Sequence, residues 1–371
     1  MKFVINKFKI VNVLAKIQGL TGRRSNLAIT ENVLIKSTTD GIKITATDLE
    51  TGFEGFYPAS VEEEGTVALS AKKLFEILKE FPSEEILINE IENRWIEIGN
   101  DVVQYHIVGM NPDDFPETPH ITEVDFFSIE ASILSKMIER SVIISAAGDE
   151  KRAHISGVFM DRVNGDPTFI RFVSTDGSRL NAMTHEFDST DDLPPGDGVL
   201  VPKKGLSEVG KFLDTDGNVQ VGFKDSHFIV KKETETIIIR MLEGEFPQYQ
   251  EILIKGKDHI IQLDKKNFGS MLKRMSILAT DNYRGAVFTF ADGKLVVTTT
   301  NPDHGESKEE TQIDFSGKPI EVAFNPKFFI DALNVIKEEK VILNIVNQSL
   351  PCIVEGDTDS TFISVIMPMR I

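Results

Sequence analysis

Cysteine is almost absent from this chain: Cys352 is the only one in 371 residues. A single thiol excludes an intrachain disulfide and fits a reducing cytoplasm. Long apolar runs are missing as well. No stretch approaches the roughly 18 residues of a membrane-crossing helix. Lys7 and Lys9 interrupt the short run Phe3-Val4-Ile5, so the opening does not read as a signal peptide. No Gly-x-Gly-x-x-Gly or Walker A run cradles a phosphate. The seven histidines (106, 120, 154, 185, 227, 259 and 304) are scattered, without metal-ligand spacing to one another or to Cys352. Asp113-Asp114 and Asp191-Asp192 read as acidic loops, and Asp176 beside Ser178 as part of an Asp-Gly turn. These absences argue against an enzyme: no catalytic residue, cofactor or metal site is expected. Basic residues are also in deficit. Lys and Arg number 40 against 58 Asp and Glu, a net charge of -18. Composition alone therefore argues against nucleic acid, because phosphate binding needs a basic surface.

What is present is repetition. Apolar residues make up 41% of the chain, ample for globular folding, and its length calls for two or three domains. Three amphipathic helices open equivalent units. They carry Ile10, Val13, Leu14 and Ile17; then Leu134, Met137 and Ile138; then Phe268, Met271, Leu272 and Met275. Each has the i, i+3, i+4 spacing of one buried face. A second helix follows some sixty residues on in each unit, at Ser70-Ala71-Lys72, Val201-Pro202-Lys203 and Asn325-Pro326-Lys327. Met110 and Met241 each precede a Phe-Pro pair by five residues, Phe115-Pro116 and Phe246-Pro247, and Met367-Pro368 lies near the end. Proline stiffens an extended connection, so the Phe-Pro segments read as linkers. The expected domains are 1–122, 123–252 and 253–371. Between the helices the period drops to two, at Ile42-Lys43-Ile44-Thr45 and through Phe169-Ile170-Arg171-Phe172. Leu295 to Thr300 is rich in β-branched residues, and Asp40-Gly41 and Asp292-Gly293 mark turns before strands. Each unit is expected to be α+β, with two helices and mostly antiparallel strands.

The charges are sorted along this repeat. The six helix windows 6–24, 70–81, 128–152, 201–213, 263–284 and 325–340 hold 23 basic and 12 acidic residues, and the rest of the chain 17 and 46. Lys9 and Lys16, Lys204 and Lys211, Lys266 and Lys273, and Lys136 and Arg140 are spaced to share a polar helix face. One such face is ordinarily just solvated. Six biased the same way in an acidic protein point to helices gathered against duplex DNA, with an acidic exterior. Few aromatics interleave the bases, and no helix-turn-helix, zinc-finger or RRM signature is evident. Contact is therefore expected with backbone phosphate, without sequence reading and with strong salt dependence. A β-rich scaffold without a DNA role is the competing class, and the basic sorting tells against it.

Several motifs resemble the bacterial DNA polymerase III beta subunit, the sliding clamp. They are Met1-Lys2-Phe3, Thr47-Asp48-Leu49-Glu50, Thr175-Asp176-Gly177-Ser178-Arg179-Leu180, Phe246-Pro247-Gln248-Tyr249, Arg284-Gly285, Asn301-Pro302 and Val365-Ile366-Met367-Pro368-Met369-Arg370-Ile371. The likeness runs the whole chain in order. It implies a homodimer of three-domain protomers joined head to tail in a ring, with helices lining the hole. The ring would tether the replicative polymerase, DNA polymerase III, to double-stranded DNA and would be placed there by an ATP-driven clamp loader. Other proteins bearing a clamp-binding motif would share one apolar cleft. That cleft is implied at Ile155, Thr175, Gly177, Arg179, Leu180, Pro247, Ile252, Asn325, Phe328, Met367, Pro368, Met369, Arg370 and Ile371. Leu180, Ile252, Phe328, Met367 and Met369 would form adaptable pockets, and Arg179 and Arg370 would hold peptide backbone or carboxylates. DNA contacts are implied at Arg23, Arg24, Arg152, Lys203 and Lys204, and the dimer interface at Tyr105 and Ile107 against Ile277 and Leu278. Ser178 stands where a histidine is common and Glu251 where an arginine can occur. Asp149 and Ala153 replace polar or aromatic residues of a DNA-facing loop in some members.

Overall fold

The computed structural model describes residues 1–22, 27–119, 121–144, 152–163, 168–187, 198–213, 216–256, 259–279 and 284–370. One pattern of elements occurs three times. It begins β1 (Lys2–Asn6), α1 (Lys7–Lys16), α2 (Gln18–Thr21), β2 (Asn32–Thr38), β3 (Gly41–Thr47), β4 (Thr51–Tyr57), β5 (Ser60–Glu63), β6 (Gly65–Ser70), α3 (Ala71–Glu80), β7 (Glu85–Glu90), β8 (Trp95–Gly99) and β9 (Gln104–Val108). The second round is β10 (Phe126–Glu130), α4 (Ala131–Val142), α5 (Ala153–Ser156), β11 (Gly157–Val163), β12 (Thr168–Thr175), β13 (Arg179–Phe187), β14 (Val199–Pro202), α6 (Lys203–Phe212), β15 (Asn218–Lys224), β16 (His227–Lys232) and β17 (Glu235–Arg240). The third is β18 (His259–Asp264), α7 (Lys265–Met275), β19 (Ala286–Ala291), β20 (Lys294–Asn301), β21 (Gly305–Gln312), β22 (Ile320–Phe324), α8 (Pro326–Val335), β23 (Lys340–Ile345), β24 (Cys352–Gly356) and β25 (Phe362–Ile366). Each round is a strand, a long helix, a run of strands, a second long helix and three closing strands. This is the α+β architecture expected from the sequence, three domains with antiparallel sheets.

Local chemistry accounts for the helix starts. Asn6, Ser70, Asp264 and Asn325 each precede a long helix, and each side chain accepts hydrogen bonds from first-turn N–H groups, such as Asn267 N to Asp264 Oδ1 at 2.8 Å. Such a cap contributes about 1 kcal/mol. Leu74 and Leu78 on α3, and Phe268, Met271, Leu272 and Met275 on α7, are buried at helical spacing. The Asp292-Gly293 signal is a two-residue hairpin turn with both φ positive, 50° and 72°, the conformation that matches strand twist.

The described residues form two compact units, one within 1–135 and 204–242 and the other within 136–187, 198–203 and 243–370. Neither follows a single round of the repeat, because sheets run across the junctions between rounds. In the first unit an eight-stranded sheet has the order β10-β15-β16-β17-β4-β3-β2-β6, so the last strand of the second round pairs with β4 of the first. In the second unit the order is β14-β11-β12-β13-β25-β24-β23-β18, and β25 pairs with β13. The corresponding outer groups stand alone: β5-β1-β7-β8-β9 in the first unit and β21-β20-β19-β22 in the second. Among the described residues β9 and β21 are edge strands, the counterparts of the strands joined at the two internal junctions. β9 is mostly exposed, as is the charged β21.

Candidate functional site

The second unit brings most of the candidate cleft together around β13. Leu180, at the start of that strand, packs in a buried cluster with Val173, Ala182, Tyr249, Ile353 and Val365; Ile252 and Phe246 are half-buried against it. The Phe159 and Phe246 rings stack at 4.9 Å between centroids, and Tyr249 meets both edge-on. Tyr249 donates its hydroxyl to Asp161 Oδ2 at 2.5 Å. Burial, reinforced by that bond, pushes its phenol well above the usual range. Phe159, Val173, Tyr249, Ile353 and Val365 were not singled out as cleft residues. The Phe-Pro-x-Tyr motif carried a signal for Tyr249 and the closing motif one for Val365; Phe159, Val173 and Ile353 sit in strands with no local mark.

The Thr175–Ser178 turn forms one wall. Thr175 Oγ1 donates to Arg179 O at 2.7 Å and accepts from Gly177 N at 3.0 Å. Asp176 Oδ1 accepts from the N–H groups of Ser178 and Arg179 at 2.9 and 3.1 Å. Gly177 has φ +89°, a region that favours glycine, and faces open space. Lys203 braces the turn from behind. Its Nζ donates to Ile155 O at 2.5 Å and to Thr175 O at 3.4 Å. Burial lowers this ammonium to about 8, opposed by the charge of Asp176 and aided by that of Arg179.

Arg179 is 8% exposed, with Nε on Asp176 Oδ2 at 2.9 Å, a terminal nitrogen on Asp331 Oδ2 at 2.6 Å, and its guanidinium carbon 4.4 Å from the Phe328 ring centroid. It thereby pins α8 to the turn. Asn325 caps α8 and is buried, and Phe328 is half-buried beside Arg179. Met367 N donates to Ser178 O at 3.0 Å and Met369 N to Ala323 O at 2.8 Å, which ties the terminal segment to the Thr175–Ser178 turn and to β22. The side chains of Met367 and Met369 stay exposed at 38% and 37%, as do Pro247 and Arg370; Pro368 is half-buried and Ile155 buried. Ile371 lies outside the described residues.

The candidate DNA contacts fare unequally. Arg23 and Arg24 lie outside the described residues. Arg152 is exposed just before α5. Lys204 reaches Asp48 Oδ2 at 2.6 Å. Lys203 is a correction to the expectation of an exposed base, because at 7% exposure its ammonium is spent on backbone carbonyls. Helix bases elsewhere divide in the same way. Lys16 pairs with Glu235, Lys136 and Arg140 with Asp359, and Lys211 with Glu208. Lys9, Lys72, Lys79, Lys266, Lys273 and Lys327 are exposed and enter no ion pair among the described residues. Of the four same-face pairs read from the sequence, only Lys266 and Lys273 are both exposed and unpaired.

The candidate dimer residues sit at the open edges. Tyr105 is 41% exposed on β9, with Ile107 beside it. Ile277 is 77% exposed in the turn of helix after α7, Ser276–Leu278, which also carries Leu278 and packs on β21. Nothing in this arrangement assembles a reaction centre, and no group of three metal-ligating side chains occurs among the described residues.

Family models of the DNA polymerase III beta subunit match three consecutive parts: the N-terminal domain over residues 1–119, the central domain over 128–248 and the C-terminal domain over 250–370. The chain belongs to the DNA polymerase III beta subunit family. It is 28% identical over 371 residues to the beta sliding clamp of Chlamydia pneumoniae, covering 100% of this chain and 99% of that one. A crystallised sliding clamp of Pseudomonas aeruginosa is similar across 100% of both chains, with TM-score 0.91 and 27% identity. A beta-subunit structure from Eubacterium rectale is similar over the same coverage, with TM-score 0.90 and 27% identity. The function is accordingly that of a beta sliding clamp: a processivity factor of DNA polymerase III in DNA replication, without catalysis of its own. No helix among the described residues is long and apolar enough to cross a membrane.

Proposed function

We propose that two protomers join head to tail into a ring around double-stranded DNA, in the cytoplasm, with domains spanning 1–122, 123–252 and 253–371. The repeated junction carries this reading. The closing strand of one round pairs with the third sheet strand of another at β17–β4 and again at β25–β13. Edges β9 and β21 are the remaining counterparts. Pairing β9 of one protomer with β21 of its partner would repeat the junction a third time and leave no such edge exposed. Tyr105 and Ile107 would then face Ile277 and Leu278.

Within the ring the helices line the hole and meet phosphate through exposed bases such as Lys9, Lys266 and Lys273, with Arg23, Arg24, Arg152 and Lys204. Contacts of this kind slide, because they read no base edge. Retention comes from linkage, so weak affinity suffices. The cleft around Leu180, Ile252, Phe328, Met367 and Met369 receives DNA polymerase III, the clamp loader and other clamp-binding-motif proteins. The test is topological. The protein is incubated with its loader, ATP and nicked circular DNA and washed at high salt. It is expected to stay on circles and to leave once they are linearised. Equal loss from both forms rejects the ring.

A further inference from the structure

The internal repeat draws attention to a second cavity, in the first unit. The Thr47–Glu50 turn reproduces the bonding of Thr175–Ser178. Thr47 Oγ1 donates to Thr51 O at 3.1 Å and accepts from Leu49 N at 3.0 Å. Asp48 Oδ1 accepts from the N–H groups of Glu50 and Thr51 at 3.2 and 2.8 Å. Even the third residue matches, with φ +77° at Leu49 against +89° at Gly177. The neighbouring strands keep the same register. Thr51 faces Ile239 as Arg179 faces Ile366. Arg240 N donates to Glu50 O at 2.8 Å, as Met367 N does to Ser178 O. Gly52 therefore occupies the place of Leu180, Arg240 that of Met367, and Pro116 that of Pro247.

These exchanges change the chemistry. Gly52 has no side chain where Leu180 fills the core, and a cavity of about 400 Å³ is lined there by Gly52, Pro116 and Ile238 among others. That volume lies within the range of small-ligand and peptide-anchor pockets. Glu50, Glu117 and Asp225 also line it and are exposed, against the single guanidinium of Arg240. None of these three carboxylates has an ion pair or hydrogen bond among the described residues. The lining is thus mixed, with Gly52, Pro116, Pro119 and Ile238 set among polar and charged groups, and it is net acidic, whereas the Leu180 cleft offers methionines.

We propose that this cavity is a second docking site, for a short peptide segment in which an aliphatic side chain neighbours a lysine or arginine. The inference rests on the reading of the Leu180 cleft as a peptide site. The aliphatic group would enter beside Ile238 and the cation would meet Glu117 and Asp225.

Methyl-labelled isoleucine in the full-length protein reads both sites at once: Ile238 lines the cavity, and Ile252 packs at the cleft. The probes are acetyl-Ala-Leu-Lys-Leu-amide and its counterpart with glutamate in place of lysine. The lysine peptide is expected to shift Ile238 saturably, with about tenfold higher affinity than the glutamate peptide. Gly52→Leu is expected to abolish that shift and to spare Ile252. The added Cβ meets nothing nearer than Thr118 Cγ2 at 3.5 Å, an ordinary contact, at a position that lines the cavity. Glu117→Gln and Asp225→Asn, which add no bulk, are each expected to weaken binding about threefold. An unmoved Ile238 at millimolar peptide, or equal response to both peptides, overturns the proposal. So does an Ile238 shift produced by raising protein concentration alone, which would make a second copy of the chain the occupant. An Ile252 that answers neither peptide counts against the cleft reading only, and a lysine-selective Ile238 response would then support the cavity by itself.

Discussion

At the scale of single residues, the chain's buried charges are structural. Arg140 is 1% exposed, with its guanidinium 5.1 Å from the Phe362 ring and on Asp359 Oδ2 at 2.8 Å. Removing a partner from a buried pair strands the other charge, at a cost of about 3 kcal/mol or more. Asp359→Ala is therefore expected to lower the thermal midpoint of unfolding clearly. Burial by itself would raise the Asp359 carboxyl, but hydrogen bonds from Thr361, Lys136 and Arg140 override it and hold it well below the usual range. Its stabilising effect is thus complete above the unfolded carboxylate value near ~4 and falls away as pH drops below it. The gap between wild type and Asp359→Asn should narrow in acid melts below that point; a constant gap would show that the pair is not ionised in the fold. Lys203 carries the opposite sign. Its folded value of about 8 lies below the ordinary lysine value of 10.5, so between those limits the unfolded chain binds more protons and stability rises with pH. Measured against Lys203→Met, wild type should gain about 2 kcal/mol from pH 7.5 to 10. No gain would mean that the ammonium is not desolvated behind the cleft.

Among elements, the clearest prediction concerns the terminal segment. Met367 and Met369 are tied to the Thr175–Ser178 turn and to β22 through their N–H groups while their side chains remain exposed. Deleting residues 367–371 is expected to abolish binding of a labelled clamp-binding-motif peptide and to leave the protomer's fold and self-association unchanged, as read by fluorescence polarisation and sedimentation. Unchanged peptide affinity would show that the cleft lies elsewhere. Elements of this kind were legible in the sequence where local chemistry marks them. Apolar stripes located α1, α4 and α7, the recurring segments at Lys72, Lys203 and Lys327 located α3, α6 and α8, and Asp292-Gly293 located a hairpin. The strands β9 and β21 lacked such marks, because an edge strand buries neither face fully and Gly305–Gln312 is mostly polar. The same limit explains Arg179. Its neighbours Asp331 and Phe328 lie some 150 positions away on α8, and no periodicity encodes that meeting. The Asp225-Ser226 turn has both φ positive without a glycine, so the usual hairpin signal was absent from a segment that lines the second cavity.

On the scale of the whole molecule, charge sorting and sheet edges make different demands. Helix windows rich in Lys and Arg suggested a continuous basic lining, yet many of those bases are spent inside the fold, on Glu235, Asp359, Asp48 and Glu208. In the proposed ring the phosphate-facing charge would be sparse, which suits sliding better than tight binding. Closure of that proposed ring would then come from the protein edges. Val102, Tyr105 and Val108 are 88%, 41% and 59% exposed in and beside β9, and Ile277 is 77% exposed near β21. Exposed apolar groups at these open sheet edges are what the proposed interface would cover. Burying a carboxylate there without a partner is costly, so Tyr105→Asp combined with Ile107→Asp should weaken self-association at least about a hundredfold. In sedimentation at micromolar concentration the variant should run as a monomer of 41.4 kDa with unchanged circular dichroism. It should still bind cleft peptides, since Leu180 and its neighbours lie in the other compact unit. It should fail to remain on circular DNA at high salt. A variant that stays dimeric would place the closing contact away from β9; one that turns monomeric yet stays on circles would show that retention does not depend on a closed ring.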